Sequence, residues 1–214
     1  MQFFSQIFQT AKLGGVMIYP LSALCILAIA LIVDKIIFYK KSVKLPTEIL
    51  NLIETYNFSW QVLESSLAKL GKENCYRNFF EVIAQNKTNP TWWLESRAAD
   101  EAKMVEKNLS GSLWILETII TAAPLLGLLG TIVGMMSSFQ IIGQNGLVNP
   151  TGVTGGVAES LIATGFGLFI AIFSLFAFNY FSRRQDQVLD ELERLGTRVV
   201  DHIKLDRDEN KKSA

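Results

Sequence analysis

The chain has one histidine, His202, and two cysteines, Cys25 and Cys75, among its 214 residues. An enzyme built on a nucleophile with its base, or on clustered histidines and carboxylates, finds little material here, so neither catalysis nor a metal centre is expected. Cys25 falls inside an apolar run and Cys75 in a polar segment, a placement that does not suit a disulfide. Two unpaired thiols fit a chain with no oxidised framework. Gly127 to Gly134 lacks the Lys-Ser/Thr pair of a phosphate loop, and no glycine fingerprint follows a strand, so no nucleotide or other cofactor is expected. No nucleic-acid partner is expected either.

The most telling lack is of charge. Between Glu117 and Glu159 there is no charged residue, about forty positions, twice the roughly 20 residues that one helix needs to cross a hydrocarbon core. The stretch must turn around, and Gly143, Gln144, Asn145, Gly146, Asn149, Pro150, Gly152, Gly155 and Gly156 supply the turn chemistry. This predicts one span over residues 118–142, a turn over 143–156 and another span over 157–181. Val16 through Val33 is also free of charge and predicts a first span over 16–38, with Pro20 near its start, where a missing N–H costs least. It does not read as a cleaved signal peptide: no basic stretch precedes Lys12, the run is too long, and no small-x-small exit follows. Leu24 before Cys25 argues against a lipoprotein site.

Half of the residues are apolar and the mean hydropathy is +0.28. The formal net charge of zero averages over a charged block from Asp34 to Glu117 and a tail after Phe181. Lys35, Lys40, Lys41 and Lys44 follow the first span, Lys103 and Lys107 precede the second, and Arg183 and Arg184 close the third, while the turn has neither lysine nor arginine. The positive-inside rule then predicts a short outer segment, 1–15, an inner loop, 39–117, and an inner tail, 182–214. The fold class expected is an all-α integral membrane protein with three transmembrane helices, the second and third extended into an inner helical bundle.

In the inner loop, Pro46 opens a helix over 47–56, Ser59 can cap one ending at Gly71, and Asn74 or Cys75 starts one ending near Gln85. From Thr91, helical spacing of Trp92, Trp93, Leu94, Ala98, Ala102, Val105 and Leu109 predicts a helix running on into the second span. In the tail, Val188, Leu189, Leu192, Leu195 and Val199 form an apolar stripe that continues the third.

The later spans also carry rows of small residues. Ala123, Gly127 and Thr131 recur every four positions, with Gly130, Gly134 and Ser138 beside them; Ala163, Gly167 and Ala171 answer in the third span, beside Ser160 and Thr164. Such rows let helix backbones approach closely in lipid, where packing has to hold helices together. Glu159 in a membrane helix requires a wet cavity, a partner or a proton. It also reads as an acid on a helix N-terminal dipole, and each threonine can bond to its own helix. Glu159 and Thr164 lie about 140° apart around an ideal helix and cannot share a narrow face.

Ala123-Pro124-Leu125-Leu126-Gly127-Leu128-Leu129-Gly130-Thr131-Ile132-Val133-Gly134-Met135, then Gly156-Val157-Ala158-Glu159-Ser160-Leu161-Ile162-Ala163-Thr164-Gly165-Phe166-Gly167-Leu168 and Ala171-Ile172, resembles the signature of the MotA/TolQ/ExbB proton-channel family. With three spans and a large inner loop, the chain is most similar to the ExbB and TolQ branch. The resemblance implies a bacterial inner-membrane subunit that forms a pentamer around single-span ExbD-like or TolR-like helices, in a bilayer whose lipid it contacts. It further implies a TonB-like or TolA-like protein as the element energised. The partner then supplies the protonatable aspartate, and Thr131, Thr164 and Glu159 match the family's ion-path lining. Ala123, Gly127, Gly130, Gly134, Ala163, Gly167 and Ala171 are expected in helix packing. Where the family places proline after Ala171-Ile172, this chain has Phe173. A non-conducting membrane scaffold is the alternative from another class.

Overall fold

The computed structural model describes residues 15–56, 58–145 and 150–212. The expected outer segment 1–15, except Gly15, and residues 146–149 of the expected turn lie outside the described residues. The elements are α1 (Ile18–Ser42), α2 (Thr47–Glu54), α3 (Trp60–Ala68), α4 (Cys75–Gln85), α5 (Thr91–Ser110), α6 (Leu113–Asn145) and α7 (Pro150–Lys212), with no strand among the described residues. Three stretches, within Ile18–Ser42, Thr91–Gln140 and Thr154–Asp208, are long and apolar enough to cross a membrane. The chain is an all-α membrane protein.

Three sequence expectations are corrected. The helix from Thr91 does not run unbroken into the second span: α5 ends at Ser110 and α6 begins at Leu113. The cause is Gly111, whose backbone (φ 12°, ψ −92°) leaves the helical region while its N–H still reaches Lys107 O at 3.1 Å. The expected turn at 143–156 is also largely helical, since α6 reaches Asn145 and α7 starts at Pro150. Proline at a first helical position loses no hydrogen bond, and its φ suits the helix. The first helix after the first span, α2, ends at Glu54, two residues before the expected Tyr56, with Thr55 already extended. The stripe after Phe181 does continue the third helix, and α7 passes through Phe173 without interruption.

The chain divides into two compact units, Met1–Val33 with Ser112–Tyr180, and Asp34–Gly111 with Phe181–Ala214. The first holds the greater part of α1, all of α6 and about the first half of α7. Its core joins Leu21 and Ala28 of α1, Leu116, Ile119 and Ala123 of α6, and Ala163, Ile170 and Ala171 of α7. Large side chains point the other way: Leu125 is 65% exposed and Phe176 73%. Exposed apolar area on this scale needs lipid or further protein against it. Inside such a setting backbone groups must be satisfied within the segment, which the helices do. Several hydroxyls follow the same rule: Ser22 donates to Ile18 O (2.6 Å), Thr118 to Trp114 O (2.8 Å) and Ser138 to Gly134 O (2.9 Å), whereas the buried Ser174 Oγ has no partner among the described residues.

The second unit is a helical assembly around Ile49, Ile53, Leu63, Leu67, Phe79, Phe80, Ile83, Leu94, Val105 and Leu109, with Val188, Leu192, Leu195 and Val199 from α7. Asn74 organises one corner. Its Oδ1 accepts from Tyr76 N (3.0 Å) and Arg77 N (3.2 Å), capping α4, while its Nδ2 donates to Lys44 O (2.7 Å). Lys35 is buried and donates to Leu109 O at 2.7 Å, occupying one of the carbonyls left open at the end of α5. His202 stacks on Phe58 with ring centroids 4.5 Å apart and meets Ile53 O through Nε2 at 2.9 Å. Both cysteines are free thiols.

Beside the Asn74 corner, the Tyr76 hydroxyl donates to Glu191, and burial together with that acceptor pushes its pKa up. Burial pushes the neighbouring Cys75 thiol from an ordinary 9.0 to about 12, with Glu191 adding to the rise and backbone hydrogen bonds opposing it. Below pH 9 folded and unfolded chains both hold this proton; above it only the folded chain does. Stability should then fall by about 1.4 kcal/mol per pH unit for that proton until the folded thiol also ionises. Thermal unfolding in detergent from pH 8 to 10, before unfolded tyrosines ionise in bulk, should show the fall, and Cys75→Ala should flatten it. An equal slope in the variant assigns the alkaline loss to other groups.

Candidate functional site

The signature residues meet where α6 and α7 cross in the first unit. A Cβ added to Gly167 would lie 2.5 Å from Ala123 O and 3.2 Å from Gly127 Cα. One added to Gly127 would lie 3.0 Å from Thr164 Cα, and one on Gly130 2.8 Å from Ala163 Cβ. Further along, Gly134 faces Ser160, and Gly156 faces Ser138. Numbers rise on one helix as they fall on the other, so the pair is antiparallel with backbones nearly touching. The seam thus brings together Ala123, Gly127, Gly130, Gly134, Ala163 and Gly167, while Ala171 lies in the adjoining buried cluster.

The seam has two edges. Successive residues advance by about 100° around a helix, and in an antiparallel pair the residues just after two facing positions lie on the same side. Leu126 and Phe166, one position before Gly127 and Gly167, lie on the same edge as Glu159, one position before Ser160, and Glu159 meets Gly15 just ahead of α1, so α1 starts on this edge. Thr131 and Thr164, one position after Gly130 and Ala163, fall on the other edge. Both are half-buried. Thr164 donates across the seam to Gly127 O at 2.9 Å, whereas Thr131 donates to Leu128 O of its own helix at 2.6 Å. With Gly130 opposite Ala163, Thr131 stands within about 3 Å of the level of Thr164 along the axis, at 1.5 Å per residue.

Glu159 is not brought to that edge. It precedes Ser160, which faces Gly134, and its half-buried side chain lies on the α1 side against Gly15. One copy of the chain therefore gathers the two threonines and holds the carboxylate apart. The sequence reading named all three residues but missed Gly15, whose signal was a glycine just ahead of a charge-free run.

A model of the MotA/TolQ/ExbB proton channel family matches residues 69–194, more than half of the 214-residue chain and all of the α6–α7 seam. The chain belongs to the MotA/TolQ/ExbB proton channel family. Among its relatives in this family, a protein of Synechocystis sp. named putative biopolymer transport protein ExbB-like 3 is 34% identical over 178 residues, covering 78% of this chain and 81% of that protein. The biopolymer transport protein ExbB of Aquifex aeolicus is 40% identical over 87 residues, covering 40% of this chain and 59% of that protein. The Tol-Pal system protein TolQ of Pseudomonas aeruginosa is 39% identical over 84 residues, 39% of this chain and 36% of that protein. Membership in the MotA/TolQ/ExbB family and three apolar helical stretches make the chain a multi-pass membrane subunit of ExbB/TolQ type.

Proposed function

We propose that the chain is an inner-membrane, ExbB-like subunit of a proton-motive-force-driven motor channel. Five copies surround ExbD-like helices and energise a TonB-like protein for transport across the outer membrane. The observation that carries this reading is the α6–α7 seam, a closely packed wall with two hydroxyl-bearing residues on the edge away from the start of α1. A proton descending 100 mV releases roughly 2.3 kcal/mol, enough to bias steps of partner helices inside a smooth ring. Thr131, Thr164 and Glu159 bound the ion path, and the titrating aspartate comes from the partner.

A TolQ-like role in the Tol-Pal envelope system is the second reading, supported by the similarity to the Pseudomonas protein. The longer alignments, over 178 and 196 residues, are to proteins carrying ExbB names. Co-expression with an ExbD-like partner in cells lacking their own ExbB should restore uncoupler-sensitive, TonB-dependent uptake. Restored detergent resistance in TolQ-deficient cells, without restored uptake, would assign the Tol-Pal role instead.

The N-terminus faces the periplasm in this reading and the C-terminus the cytoplasm, because lysine and arginine cluster at 35–44, 103–107 and 183–184. In a chain with Cys25→Ser and Cys75→Ala, a membrane-impermeant maleimide should label Asn145→Cys in intact spheroplasts and leave Ser65→Cys, at an exposed position, unlabelled until the membrane is opened. The reverse pattern inverts the topology.

A further inference from the structure

Among the described residues only Gly15, just before α1, has a φ in the left-handed region, +64°. Glycine alone enters that region without steric cost; asparagine is the next most tolerant. The turn it starts is tight, with Ile18 N on Gly15 O at 3.2 Å and Tyr19 N on Val16 O at 3.4 Å. A Cβ built on Gly15 would run into Glu159 Oε1, and it would lie 2.7 Å from Glu159 Cδ and 3.1 Å from its Cγ. The carboxylate thus occupies the space that any side chain at position 15 would fill. Nearby, Met17 Cβ would be 3.4 Å from a Cβ on Gly130, so the same turn also rests on the α6–α7 seam. A carboxylate beside the start of α1 meets the positive end of that helix dipole.

We propose that Gly15 is a positioning residue for Glu159: the glycine turn ahead of the first helix forms a side-chain-free seat that fixes the carboxylate relative to the ion path. The functional part of this inference rests on the proposed role of Glu159. The first span is then more than an anchor, because its outer end decides where the acid of the third can stand.

The seat itself is tested apart from transport. A Gly15→Cys, Glu159→Cys pair in a chain with Cys25→Ser and Cys75→Ala should form a disulfide in membranes on mild oxidation; failure to form it removes the seat. In the assembled complex with its single-span partner, Gly15→Asn keeps the left-handed turn but adds a Cβ. It should lower proton-motive-force-dependent uptake at least tenfold at normal complex abundance. Glu159→Asp, one methylene shorter, withdraws the colliding atoms, so the Gly15→Asn, Glu159→Asp double variant should regain at least threefold over Gly15→Asn alone. Normal uptake by Gly15→Asn, or no recovery in the double variant, overturns the positioning role. Normal uptake by Glu159→Ala defeats the ion-path reading instead, and the disulfide result stands independently of it.

Discussion

Gly167→Leu should leave almost no folded protein in the membrane, with abundance down more than tenfold, while Gly165→Leu on the same helix should be nearly silent. A Cβ at Gly167 already falls 2.5 Å from Ala123 O, a backbone atom that cannot rotate away, whereas nothing lies within 4 Å of one at Gly165. Overpacking against flexible side chains typically costs about 1–3 kcal/mol, and against backbone the helices have to part. Separation would also break the Thr164 to Gly127 hydrogen bond. The contact lies within one chain, so the damage precedes any ring: the expected products are degraded or aggregated protomers. Native mass spectrometry with membrane abundance tests this. Stable, folded monomers would mean that Gly167 serves contacts between copies and leaves the protomer fold intact.

Much of this fold is written in local patterns. The charge-free runs locate the spans, because few sequences other than lipid-crossing helices avoid charge for so long. Asn74 was legible as a cap, since a side-chain acceptor ahead of an apolar-periodic segment has few other roles. Gly111 was not, because apolar spacing passes straight through it and only its backbone conformation reveals the break. Gly152, Gly155 and Gly156 misled in the opposite sense. They carry turn chemistry, yet they are helical in α7, where Gly156 stands against Ser138. Glycine thus has two meanings in a membrane chain, loop and close approach, and the partner helix decides between them.

The candidate site was legible in composition and only partly in geometry. Helical periodicity separates Glu159 from Thr164 by angle. It does not say which neighbour sits on either side, because that depends on α1, far away in sequence. The contact of Glu159 with Gly15 settles it, placing the carboxylate beside the start of α1 and the threonines on the opposite edge.

That division sharpens the test of the ion path. Thr131→Val removes a hydroxyl bonded only within its own helix, so it should not disturb the seam. Thr164→Val removes the cross-seam bond to Gly127 O, at a net cost of about 1 kcal/mol, and valine keeps the volume. If the hydroxyls served packing alone, only Thr164→Val would matter, and it would act through reduced abundance. If they line the route past which the partner's aspartate is hydrated, the double valine variant should lose at least tenfold in proton-motive-force-dependent uptake. Complex abundance should then remain within about fivefold, the factor to which the roughly 1 kcal/mol lost at Thr164 corresponds. Glu159→Ala should lose at least as much, since it removes the one carboxylate between Glu117 and Asp186. Uptake per assembled complex, in cells and in liposomes holding the reconstituted pair, separates the cases. A double valine protein that transports at the normal rate with normal abundance reduces the threonines to packing residues and leaves the ion path to other groups.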